Sequence, residues 1–288
     1  MPSRTALACQ LMLDLCRSPK GISGLMLVAA VVGTAIFAPI VAPHSPLAQD
    51  ISKRLMPPFW LSGSMANPLG TDLLGRDILS RIIYGSRISL FVGVSSVAAA
   101  GTVGILLGLL AGYYRGRLDN IIMRVIDVQL AIPFLVLAVA VVAVLGASLR
   151  NIIVVLGLTG WVTYGRIVRG EVLSVREKEY VEAARLVGCR DHRIMFRHIL
   201  PNVSASIIVV ATLQVAQMII AEASLSFLGL GVQPPTPTWG GMVADGRDYL
   251  ADAWWVSAFP GLAIMFAVLG INLLSDWLRD YLDPTLKS

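Results

Sequence analysis

Few residues in this chain are placed to do covalent chemistry. His44, His192 and His198 have no metal-ligand spacing, and neither H-E-x-x-H nor G-x-S-x-G occurs. There is no G-x-x-x-x-G-K-[ST] phosphate loop, so the chain does not hold ATP in that manner. The sequence instead sets polar residues inside apolar runs. Gln214, Gln217 and Met218 fall on neighbouring positions of one helical face and could line a polar path. Hydrogen bonding between helices is an equal reading of the two glutamines. Glu222 follows near the end of the same run, a further candidate for the path, though its carboxylate can also simply reach the headgroup region. Asp127 stands close to Arg124, and pairing there is favoured, since an acid at the centre of a span would cost roughly 2.5–3.5 kcal/mol.

A second constellation runs from Glu171 to Asn202, charged and set between two apolar runs. On a helix, Leu173, Tyr180, Ala184 and Val187 share one stripe, with Lys178, Glu182 and Arg185 opposite. Gly188 supplies a stop. Asp191 is placed to cap a second short helix that carries Ile194, Met195 and Ile199 on one side. Pro201 then suits the first turn of the next apolar helix. The pattern predicts a compact helical knob.

The elements that position these residues are membrane spans. The chain has 288 residues, 56% hydrophobic and 14% charged, with the apolar residues gathered in blocks. Six runs are long enough to cross a bilayer: Ile22–Ala42, Leu90–Tyr113, Val128–Ala147 with a kink at Pro133, Ile152–Val168, Ser204–Leu225 and Ala258–Leu274. With both termini in the cytoplasm, Lys and Arg on the inner side outnumber those outside by more than two to one, and the knob lies inside. The net charge of +5 therefore reads as topology, and the dispersed charges exclude a nucleic-acid-binding face. Cys9, Cys16 and Cys189 all fall inside and suggest no disulfide framework.

Other segments are secondary to these. Leu7, Leu11 and Leu15 fit a helix lying on the membrane or an extension of the first span. Between the first two spans, Ile78, Leu79, Ile82 and Ile83 make an amphipathic turn that Gly85 can end. Asp72, Arg76 and Asp77 there read as a capped, charge-paired loop. Gly104, Gly108 and Gly112 mark a close-packing helix face. Trp239, Trp254 and Trp255 suit a membrane interface.

Glu182-Ala183-Ala184, Gly188 six residues after the glutamate, and His198-Ile199-Leu200-Pro201-Asn202 together resemble the EAA loop of ABC importer inner-membrane permeases. The branch it looks like carries dipeptides, oligopeptides or nickel. The stretches Pro68–Leu90 and Glu222–Gly231 carry the same likeness. The resemblance implies an all-α membrane protein of six transmembrane helices, with a type I importer core and a cytoplasmic coupling hairpin. Its implied divisions are an N-terminal region 1–86, a permease core 87–276 and a tail 277–288. It further implies a non-enzymatic permease subunit in the cytoplasmic membrane, moving peptides with a homologous B-type permease, two ABC ATPases and an extracytoplasmic binding protein. ATP and Mg would be bound by the ATPases and no cofactor by this chain. Glu182, Ala183, Ala184, Gly188, His198, Leu200, Pro201 and Asn202 would couple to the ATPase. The rival expectation is a gradient-driven transporter using Asp127 and Glu222 as ion sites.

Overall fold

The computed structural model describes residues 14–15, 18–62 and 64–282. Leu7 and Leu11 of the predicted N-terminal arm helix, Cys9 and Cys16, and the end of the tail lie outside these residues. Apart from an isolated bridge between Thr71 and Asp77, the regular structure described is helical. Helix α1 is Pro19–Ile36, α2 Ile78–Tyr114, α3 Gly116–Leu130, α4 Phe134–Leu145 and α5 Leu149–Val175. A short helix α6, Glu179–Leu186, leads through Asp191–Arg193 and a π-helical turn, Ile194–Ile199, into α7, Leu200–Phe227. Helices α8, Trp239–Gly246, and α9, Trp255–Leu282, complete the bundle. Five helices are long and apolar enough to cross a membrane, or six when α3 and α4 count as one bent span.

Helix α2 packs most extensively on α5, and its glycines are the reason. A Cβ at Gly104 would stand 2.3 Å from the Trp161 carbonyl, at Gly108 2.8 Å from that of Gly165, and at Gly112 2.7 Å from Val172 Cβ. Without those atoms the two backbones close together, which is how helices gain contact where lipid gives no hydrophobic drive.

Three elements differ from the sequence-based expectation. Helix α2 starts at Ile78, twelve residues before the predicted span, because the Asp77 carboxylate caps it, accepting from Ser80 N at 2.8 Å. It also runs straight through Gly85. The Trp239 indole lies on that glycine and donates to the Ile82 carbonyl at 3.0 Å, so Trp239 is core at 2% exposure. Trp255 is buried likewise, leaving Trp254 exposed.

The third predicted span is broken, with α3 and α4 meeting at 89°. Pro133 lacks an N–H and forces its neighbour out of helical geometry. The twelve residues of α4 extend only about 18 Å, short of a bilayer core of about 30 Å.

Candidate functional site

The knob is built on the ends of α2 and α5. Helix α5 stops at Val175, and the next residue turns back: Arg176 Nη1 donates to the Tyr113 carbonyl, and lies 3.4 Å from that of Gly112. A cation thereby satisfies carbonyls left free at the end of α2. Burial, then the neighbouring charges of Arg115 and Arg185, push the Arg176 guanidinium below its ordinary value. Glu177 bridges it at 3.4 Å to Arg115 at 2.7 Å.

The chain re-enters a helix at Glu179. One long stripe from Leu173 to Val187 is therefore not realised, since the break at Arg176–Lys178 resets the helical phase. Val181 becomes the buried root, packed with Tyr113, Val175, Ile194, Met195 and Ile199, and Ala184 sits half-buried beside it. Tyr180 and Val187 point outward instead. Ile194, Met195 and Ile199 do share the inner side.

Gly188 ends α6 with φ of 82°. Gly188 N donates to Arg185 O at 2.9 Å and Cys189 N to Ala184 O at 3.0 Å, the bond pair of a Schellman cap. Asp191 is not the expected cap. Its carboxylate accepts from the Tyr113 hydroxyl at 2.7 Å, while the Arg185 guanidinium lies 5.1 Å from the centre of the Tyr113 ring. At the root, Pro201 cannot donate and its ring crowds the carbonyl four residues back, and the wider π turn before it makes room. Asn202 Nδ2 donates to the His198 carbonyl at 2.6 Å.

The predicted coupling residues are thus divided. Glu182, Ala183 and Gly188 are exposed at the tip, whereas His198 and Leu200 are half-buried at the root beside exposed Pro201 and Asn202. Sequence reasoning did not mark Leu186, 85% exposed, or the hub Tyr113, and it set Val187, 84% exposed, on the stripe. The Tyr113-Tyr114 pair ahead of Arg115 was the available signal for the hub.

The polar residues of α7 do not share one surface. Gln214 is buried, with Nε2 3.4 Å from the Gly160 carbonyl, and Met218 packs in the core. Gln217 is exposed. Glu222 is fully buried within the chain, its carboxylate turned inward: Ser226 Oγ donates to it at 2.7 Å and Ser89 Oγ at 3.4 Å. Asp127 is exposed and makes no ion pair with Arg124 among the described residues. The two acids of the rival reading therefore belong to different helices and environments.

At the opposite end of the bundle lies a charge cluster. Asp72 accepts from Leu74 N at 2.8 Å, Arg76 N at 2.9 Å and Arg76 Nε at 2.7 Å, and also from Arg81 Nη1. Asp245 stands 3.5 Å from Arg76 and 3.2 Å from Arg81. The capped, charge-paired loop is present, with Arg81 and Asp245 as members the sequence did not mark. No group of side chains able to hold a metal ion occurs among the described residues.

The chain belongs to the family of binding-protein-dependent transport system inner membrane components, whose model matches residues 104–288. Residues 10–58 match the N-terminal transmembrane domain of oligopeptide transport permease C. It is an integral inner-membrane protein and the permease component of an ABC importer.

The di/tripeptide transport system permease protein DppC of Pseudomonas aeruginosa is 49% identical over 93% of this chain and 88% of that protein. The probable D,D-dipeptide permease DdpC of Escherichia coli is 43% identical over 93% and 88%. The glutathione permease GsiD of Pectobacterium atrosepticum is 49% identical over 78% and 75%. Among solved structures, an inward-facing MetNI methionine ABC transporter aligns with a TM-score of 0.60 at 18% identity, covering 72% of this chain and 98% of that one. That likeness extends to the fold.

Proposed function

We propose that the chain moves short peptides across the inner membrane as one of two homologous permease subunits, with two cytoplasmic ATPases and an extracytoplasmic binding protein. Peptide cargo is supported by the relatives, whose names carry dipeptides, tripeptides or glutathione. The hairpin and both termini are cytoplasmic, in keeping with the Lys and Arg excess on that side. ATP and Mg are bound by the ATPases.

The observation that carries the coupling role is the tip itself. Glu182, Ala183, Leu186 and Val187 are exposed on a helix whose root at Val181 is fully buried. An apolar helix edge presented to water, on a rigid base, suits a groove on another protein. Closure of the ATPases would move the knob, and the spans rooted in it would tilt between inward-open and outward-open states. Of the path candidates Gln214, Gln217, Met218 and Glu222, Gln217 is the one left exposed to face a path.

The test is purification of the tagged chain from its native membrane, with mass spectrometry of what accompanies it, followed by uptake of labelled di- and tripeptides into proteoliposomes. A homologous permease and P-loop ATPases at near-equal amounts, with ATP-dependent peptide uptake, is the expected result. A chain isolated alone, or uptake driven by an ion gradient without ATP, overturns the proposal.

A further inference from the structure

The end of the bundle opposite the knob carries an apolar loop that peptide transport, as proposed, does not use. Its neck is clasped by backbone hydrogen bonds: Leu55 N to Asp72 O at 3.1 Å, Thr71 N to Met56 O at 3.0 Å and Phe59 N to Pro68 O at 3.2 Å. Thr71 Oγ1 adds a fourth, accepting from Met56 N at 2.8 Å. The base of the neck is Asp72, buried in the charge cluster, so the loop leaves the bundle at a fixed angle.

Its composition and exposure are unusual for a segment in water. From Leu55 to Thr71 no charged residue occurs. Trp60 is 48% exposed, Leu61 60% and Met65 71%. These side chains do not float free of the membrane-crossing part. Ring centroids step from Phe59 to Trp60 at 5.1 Å, from Trp60 to Phe259 at 5.9 Å and from Phe259 to Trp254 at 5.7 Å. Phe259 belongs to α9, one turn from its first residue Trp255, in a helix apolar enough to cross a bilayer. At 1.5 Å per residue it lies about 6 Å along the axis from that helix start.

The aromatic ladder therefore fixes Trp60 and Leu61 at the depth of the first turns of a spanning helix. Amphipathic aromatic rings at that level suit the boundary between headgroups and acyl chains, and a charge-free edge offers a binding protein no complementary charge. We propose that the Phe59–Leu61 turn is a membrane-interface anchor, whose partner is the lipid of the leaflet at this end of the bundle. It would hold the clasped loop, and the charge cluster beneath it, at a set height on the membrane.

The test uses the full chain with its co-purifying subunits in nanodiscs of phosphatidylethanolamine and phosphatidylglycerol. Cys9, Cys16 and Cys189 are changed to serine, and a spin label is placed at Leu61→Cys or, for comparison, at exposed Gln49→Cys. Collision with oxygen, which partitions into lipid, is compared with collision with a water-soluble nickel chelate. The anchor predicts that oxygen collision exceeds nickel collision several-fold at position 61, with the order reversed at position 49. A label at position 61 that meets the nickel chelate more often places the loop in water and overturns the proposal. Shielding from both reagents shows a protein covering the turn, and overturns it equally. The reading depends on the spans alone, so loss of peptide uptake would not bear on it.

Discussion

At the knob, two large aliphatic side chains stand in the open, Leu186 and Val187, on a short helix rooted through Val181. At the other end of the bundle, Asp72, Arg76 and Arg81 are withdrawn from water around a partly exposed Asp245. Each arrangement is costly for an isolated chain. Exposed apolar surface forgoes burial worth roughly 25 cal/mol per Å², and buried charges are tolerable only when paired and hydrogen-bonded. The difference shows what each end is for. The charge cluster pairs its charges within the chain, Asp72 and Asp245 against Arg76 and Arg81, and fixes a platform, whereas the knob leaves apolar surface uncovered, as the proposed docking to an ATPase requires.

The largest effect should come from breaking the completed end. Asp72→Ala leaves two buried guanidinium groups with only Asp245 to answer them, and orphans the amides of Leu74 and Arg76. A loss of about 3–5 kcal/mol is expected, read as a fall in the thermal unfolding midpoint of the purified complex. Asp72→Asn keeps an acceptor for those amides and should lose less. An unchanged midpoint for Asp72→Ala would mean that the cluster does not hold the platform. Next in size is the bundle between the two ends. Gly104→Ala puts a methyl 2.3 Å from the Trp161 carbonyl, so α2 and α5 must part, at about 1–3 kcal/mol by the same assay. A neutral result would show that the helices separate freely there.

How much of this was legible beforehand depended on how local its cause was. Gly104, Gly108 and Gly112 announce their face by spacing alone, and the side chains of Ile194, Met195 and Ile199 by helical phase. Pro201 and Gly188 are backbone signals, readable one residue at a time. The break between α5 and α6 has no such mark, because Arg176 makes it by reaching carbonyls 63 and 64 residues away. The burial of Glu222 was hidden for the same reason, since Ser89 lies 133 residues away in sequence. At Pro133 the residue was legible but the angle was not, because a kink and a break are chosen by what α3 and α4 pack against. The tip was misjudged through phase: a reset of three residues turned Val187 outward and Val181 inward.

Gly188→Leu tests whether the orientation of the knob matters apart from its stability. A Cβ at Gly188 meets nothing within 4 Å, so the cost is confined to holding φ of 82° with a side chain, about 1–2 kcal/mol. The subunit should still assemble in the membrane. ATP hydrolysis by the complex should continue while peptide uptake falls, as the knob settles at another angle. Normal uptake by a stably assembled variant would remove Gly188 from the coupling device.

Leu186→Ser should have the smallest effect on the chain itself and still separate the two ends most sharply. At 85% exposure Leu186 adds little to the subunit's own core, so the unfolding free energy of the isolated chain should stay within about 0.5 kcal/mol of the parent. If it is an anchor in an ATPase groove, its loss should weaken that association by about 1.4 kcal/mol, or about tenfold, measured by titrating purified ATPase onto the permease in nanodiscs. A destabilised chain would show that the tip packs within the subunit, which would make it a region of the same kind as the charge cluster. An unchanged chain with unchanged ATPase affinity would move the contact to the Glu182–Ala183 face of the same helix. Tenfold weaker docking on an intact subunit is the one combination in which stability and coupling are carried by different side chains at different ends of the bundle.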